Sequence, residues 1–162
     1  MKKTLVAAAL FASLLSTKAF AQGAGPVVGV DLQAALPVGN FGDGAGIGFG
    51  GLLRYEFTVA NPVNITGRGG FMYHLEKNTI TFFTFPLLVG TKIKLGEKAY
   101  LGLETGAFIN HTDPGGFDAA LGFTLGVGYR ISSVDLRIGA EMVDAGHAGD
   151  SIALTGGLGY NF

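Results

Sequence analysis

Residues 117–130 read Phe-Asp-Ala-Ala-Leu-Gly-Phe-Thr-Leu-Gly-Val-Gly-Tyr-Arg. Alternate positions separate cleanly. Phe117, Ala119, Leu121, Phe123, Leu125, Val127 and Tyr129 take one side, and Asp118, Ala120, Gly122, Thr124, Gly126, Gly128 and Arg130 take the other. A period of two belongs to an extended strand whose faces meet different surroundings. Two architectures fit a bulky apolar face backed by glycine and charge. One is a soluble sheet with its polar side in water, the other a closed cylinder with its apolar side in lipid.

The same alternation recurs on both sides of this stretch. Turn-forming residues divide the chain into eight segments, 26–36, 47–58, 63–75, 80–94, 99–109, 117–131, 134–143 and 151–162. The breakers are Pro37 to Asn40, Asn61-Pro62, Gly96 to Lys98, Asp113 to Gly116, Ser132-Ser133 and Asp144 to Gly146. Strands of soluble proteins run about five or six residues, whereas a tilted membrane-crossing strand needs about 9–11. All eight segments match the longer figure. The expected fold is therefore all-β: an eight-stranded antiparallel transmembrane β-barrel in up-and-down order.

Charge placement points the same way. Asp31, Arg54, Glu56, Arg68, Lys92, Lys94, Glu104, Asp118, Arg130, Asp135, Arg137 and Glu141 all share the polar parity, six basic and six acidic. That face also holds 13 strand glycines, against four on the apolar face (Gly51, Gly67, Gly69 and Gly156). Water-facing strand positions do not favour glycine. The lumen of an eight-stranded barrel does, because small residues must alternate with long ones to fit. Charges of both signs can lie there when paired. The twelve charges are accordingly expected to line the lumen as ion pairs, filling it rather than leaving a channel.

Residues 1–21 have the form of a secretory signal peptide. Lys2 and Lys3 precede an apolar run from Leu5 to Leu15, and Ala19-Phe20-Ala21 supplies the cleavage site. Removing 21 of the 162 residues leaves a 141-residue barrel domain, 22–162. Without Lys2, Lys3 and Lys18, 8 basic residues of the original 11 face 12 acidic ones, a formal charge of −4. That balance excludes a nucleic-acid-binding role. Cysteine is absent, so no disulfide holds the fold.

Aromatic residues form two groups. Tyr55, Phe57, Tyr129, Tyr160 and Phe162 fall toward one rim, and Phe49, Phe71, Tyr73, Phe83, Phe85 and Phe117 toward the other, the pattern of two interfacial belts. The chain ends Thr155-Gly-Gly-Leu-Gly-Tyr-Asn-Phe162. Thr155, Gly157, Tyr160 and Phe162 resemble the C-terminal insertion signal of outer-membrane proteins. Phe85 to Gly90, Tyr100 to Glu104, Gly126 to Arg130 and Val134 to Arg137 resemble the small outer-membrane β-barrel domain family, which includes the N-terminal barrel of OmpA and the OmpX-like, porin-family proteins. The resemblance spans 22–162. It implies residence in a Gram-negative outer membrane among lipid and lipopolysaccharide, with the barrel-assembly machinery reading the last strand. The chain departs from the family in having short surface loops and no peptidoglycan-binding domain after the barrel. Pro86 in mid-strand implies a bulge.

Candidate chemistry is sparse. The loops expected at 37–46, 76–79, 110–116 and 144–150 hold Asp43, Glu76, Asp113, Asp144 and Asp150. His74 at a strand tip and His111 and His147 in loops share that end. A His/Asp cation site would need ligand spacing that is absent, and ordinary loop polarity accounts for these residues. Ser151 near His147, Asp144 and Asp150 is the one grouping suited to nucleophilic catalysis, and a turn is a poor place to hold that geometry. Glu104 and Glu141 could serve acid–base work, but pairing with Arg54, Arg68 or Arg137 explains them more simply. No catalytic residue, metal ligand or cofactor is expected. A non-enzymatic envelope or surface-interaction protein is the leading expectation. A small-solute pore and a soluble periplasmic ligand-binding barrel are the alternatives.

Overall fold

A computed structural model describes residues 25–39, 42, 44–77, 80–113, 115–144 and 150–162. The expected signal peptide, with Ala19 and Ala21, lies outside these residues, as do Asn40, Asp43, Pro114 and His147. Among the described residues there are eight strands: β1 (Val27–Val38), β2 (Gly48–Ala60), β3 (Val63–Lys77), β4 (Ile80–Lys94), β5 (Ala99–Asp113), β6 (Gly116–Ile131), β7 (Val134–Asp144) and β8 (Asp150–Asn161). Each pairs antiparallel with the next, and β1 pairs with β8 to close the barrel. Closure leaves no strand edge unpaired, as a sheet without water beside it requires.

One end of the barrel carries the start of β1, the end of β8 and the tight turns at 61–62, 95–98 and 132–133. Gly96 and Ser132 take positive φ there, 117° and 54°, to reverse the chain. We call it the turn end, and the opposite one the loop end. At the loop end the ladders run further than the turn signals suggest. β5 continues through His111, which pairs with Phe83 and Phe117, so the expected loop at 110–116 contracts to 114–115. Glu76 likewise belongs to β3. Polar residues allow a chain to reverse, but pairing persists for as long as the neighbouring strand offers backbone groups.

No bulge occurs at Pro86. Gly69↔Leu87 and Met72↔Thr84 keep one register on either side of it, and only the pairs between them drop out of the β3–β4 ladder. Its ring is buried inside the barrel. The missing N–H costs a local pairing without displacing the strand.

The two faces differ as their residues do. Leu32, Leu53, Leu87, Leu125, Leu136, Ile138 and Leu154 stand outside, and nearly all of the twenty-nine exposed large apolar side chains among the described residues belong to this wall. At about 1.5–3 kcal/mol for each such side chain removed from water, a wall of this kind would cost an aqueous barrel tens of kcal/mol. Aromatic rings gather at both rims of that wall. At the loop end, Phe85, Phe71, Phe83, His111 and Phe117 form a chain with successive centroids 5.2, 5.6, 6.1 and 4.5 Å apart, and Tyr73 lies 5.3 Å from Phe83. Tyr55 with Phe57 and Tyr160 with Phe162 make the pairs at the turn end.

Candidate functional site

The lumen holds the charged residues, and glycine on adjacent strands makes their room. A Cβ on Gly159 would lie 2.4 Å from the Asp31 carboxylate and 3.1 Å from an Arg54 nitrogen. One on Gly128 would strike the Tyr100 ring, and one on Gly90 would come within 2.6 Å of Glu104 Cγ. The inward glycine bias is therefore a packing requirement: large lumen side chains such as Arg54, Tyr100, Glu104 and Phe108 lie over neighbours that have none.

Two linked clusters result. Toward the turn end, Asp135 receives Arg54 at 3.2 Å, Lys92 at 3.2 Å and Arg130 at 2.9 Å, while Tyr100 donates its hydroxyl proton to the other carboxylate oxygen. Glu56 pairs with Lys92 at 2.9 Å and Arg130 at 2.8 Å and accepts from Asn64 at 2.6 Å. The Lys92 ammonium also lies 4.3 Å from the centre of the Tyr100 ring. Midway along the barrel, Arg68 grips Glu104 through Nε and Nη2, and Thr66 donates to the same carboxylate at 3.1 Å. Asp31 joins the clusters, with Arg54 at 3.1 Å, Arg137 at 3.5 Å and Arg68 at 3.7 Å. Burial raises the stakes of these contacts, because a charge left without its partner in low dielectric is expensive.

Nine of the twelve expected inward charges take part in these ion pairs. Lys94 and Asp118 share their parity but are exposed, at the turn and loop ends respectively. Neither forms an ion pair among the described residues. Glu141 departs from expectation in a different way. It is buried, yet no cation among the described residues lies within 4.0 Å of it, and it makes no side-chain hydrogen bond there. Its strand neighbours explain this: across the ladders it meets Thr124 and Ala153, not an arginine. The nine paired charges comprise five cations and four anions, and Glu141 is the one further buried acidic residue on this face.

Uncharged residues complete the network, and charge bookkeeping alone could not find them. Asn161 accepts from Arg54 at 2.6 Å while its own side chain and backbone N–H groups donate to Ser133 O at 3.0 and 2.8 Å. The final strand is thus anchored to the lumen. Gln33 accepts from Arg68 at 3.1 Å, and the Tyr100 oxygen accepts from Arg137 at 3.2 Å. Gln33 and Tyr100 share the inward parity of the charged residues on their strands, the one sequence signal that marks them. A cavity of about 20 Å³ lies among Asp31, Arg68, Glu104, Thr124 and Arg137. It has the size for one water, and both Asp31 oxygens and the Thr124 hydroxyl beside it have no hydrogen-bond partner.

The loop-end half of the lumen is of another kind. Phe108, Leu88, Ala120 and Val143 form one buried apolar cluster, and Met72, Ala35 and Ala153 form a second. Sequence reasoning followed charge and glycine and passed these over, although Met72, Leu88 and Phe108 share the parity of Arg68, Lys92 and Glu104. His74 sits above them, its Nδ1 3.3 Å from Gly46 O. Among the described residues no three His, Cys, Asp or Glu residues cluster as metal ligands around His74 or outward-facing His111; His147 and Asp43 lie outside those residues.

No family model matches the chain, and no curated protein sequence matches it. Its fold does have likenesses among solved structures. Ail, the attachment invasion locus protein of Yersinia pestis, aligns over 85% of this chain and 96% of its own at a TM-score of 0.55 and 15% identity. Neisserial surface protein A aligns over 86% and 98%, at 0.56 and 18%. The N-terminal β-barrel domain of Pseudomonas aeruginosa OprF aligns over 84% and 97%, at 0.58 and 11%. The chain thus has the fold of the small eight-stranded outer-membrane barrels, of the OmpA and OmpX kind that its internal strand motifs resemble.

Proposed function

We propose that this protein is an integral barrel of a Gram-negative outer membrane with a non-enzymatic role in the envelope or at its surface. The continuous exposed apolar wall carries the reading, since only lipid makes it stable. The turn end then faces the periplasm, the loop end faces outward, and the aromatic rims sit at the two interfaces among lipid and lipopolysaccharide. Solved proteins of this fold include one named for attachment and invasion and another named as a surface protein, which supports a role outside the cell over one inside the periplasm. The ion-paired lumen acts as internal scaffolding in this reading, not as a solute path or a catalytic site.

Thr155, Gly157, Tyr160 and Phe162 would be read by the barrel-assembly machinery before closure. Tyr160 and Phe162 point outward, where a partner can reach them, while Asn161 between them turns into the lumen to lock the finished barrel. Membrane fractionation followed by electrophoresis of unboiled and boiled samples tests the reading. An outer-membrane band that shifts on heating is expected, and a soluble periplasmic chain without a shift would refute it. Deleting Phe162 should leave the chain unassembled in the periplasm, read as loss of the heat-shifted band.

A further inference from the structure

Within the membrane-spanning reading, the lumen has two levels of opposite chemistry, and only one is suited to stop an ion. We propose that the permeability barrier is the apolar septum in the loop-end half, closed by Phe108, and not the ion-pair network below it. Phe108 is 1% exposed and points inward from β5, between Pro86 on β4 and Ala120 on β6. Its ring covers Gly122 so closely that a Cβ there would lie 2.3 Å from a ring carbon. Leu88 and Val143 flank it, and Met72 reaches Ala35 and Ala153 on the other side of the barrel. Together the two clusters draw on every strand except β2, which contributes the buried Leu52 one rung lower.

The two levels differ in what they offer an ion. The network presents carboxylates, guanidinium groups, hydrogen-bonding atoms without partners and a cavity large enough for water. Polar groups of this kind can exchange partners and replace part of a hydration shell. The septum offers mainly carbon and the Met72 thioether, with Gln33, Thr84 and Glu141 at its edges, so an ion crossing it sheds most of its water for little in return. Narrow apolar constrictions close pores by dewetting.

One charge stands at the septum's margin. Glu141 lies on β7 two residues from Val143 of the first cluster and across the ladder from Ala153 of the second. It has no ion-pair partner among the described residues, and the neighbouring Thr124 hydroxyl has no hydrogen-bond partner. Water entering an opened septum hydrates Glu141 and favours its carboxylate, so the opening is bordered by a negative group and favours cations.

The test uses the full chain in planar bilayers, with insertion checked by the heat-shifted band. Phe108→Ser shortens and wets the septum, and unitary conductance steps are expected where the wild type and Phe108→Leu show none. Under a salt gradient the opened variant should prefer cations, and Phe108→Ser with Glu141→Gln should lose that preference. If Phe108→Ser fails to insert, Val143→Ser thins the same cluster and is held to the same outcomes. An inserted serine variant that stays silent overturns the septum, as does conduction produced by Arg68→Met with Phe108 intact. Anion preference in the opened variant overturns the role of Glu141. A wild-type chain that never inserts refutes the membrane reading itself, which separates the two failures.

Discussion

Along β6, successive residues belong to different solvents. Phe117 and Leu121 are 74% and 73% exposed on the wall, while Ala120, Gly122 and Thr124 of the same strand are buried in the lumen. The wall tolerates almost any apolar shape, because lipid tails deform around it. The lumen tolerates far less, because eight strands enclose a space in which many large groups lie over glycines and all buried charges but Glu141 are ion-paired. Specificity in this fold is thus concentrated on the inner face, although the outer face carries most of the apolar surface.

The largest expected effect probes the inner face. Asp135→Asn strands Arg54, Lys92 and Arg130 around a neutral group and should cost about 3–5 kcal/mol, measured by denaturant unfolding of the refolded barrel in detergent micelles. A smaller cost would mean that the network relaxes freely, and the inner face would lose its special standing. On the wall, Leu125→Arg should cost about 2–4 kcal/mol, read in the same assay in lipid vesicles. A neutral result there would place Leu125 outside the hydrocarbon layer.

Glycine sharpens the contrast at smaller scale. A Cβ on inward Gly106 would lie 1.9 Å from the Leu87 carbonyl oxygen, so Gly106→Ala should cost about 1–3 kcal/mol through forced backbone displacement. The same change at outward Gly156, where nothing lies within 4 Å, should stay within about 0.5 kcal/mol. Both follow from paired unfolding curves. Equal costs at the two positions would sink the packing account of the glycine bias.

Much of this architecture was legible in the chain itself. The alternation from Phe117 to Arg130, repeated eight times, led to eight strands, and the shared parity of Arg54, Glu56 and Asp135 placed them on one face. Pro86 misled, because a missing N–H removes a ladder pair without requiring a register shift. Glu141 misled as well. Its parity is that of Arg137, but whether a charge finds a partner depends on height along the barrel, and height depends on the stagger between strands. Phe108 went unremarked for a related reason: a phenylalanine on a glycine-rich face reads as an exception until its ring is seen over Gly122.

The sequence by itself determined the strands, their number and their two-sidedness, because a period of two is a local property that any extended backbone expresses. The meeting of Arg54 with Asp135 across 81 residues and the division of the lumen into ionic and apolar levels were decided by tertiary structure alone. Alternation says which way a side chain points. Only the stagger accumulated around a closed barrel says what it meets there.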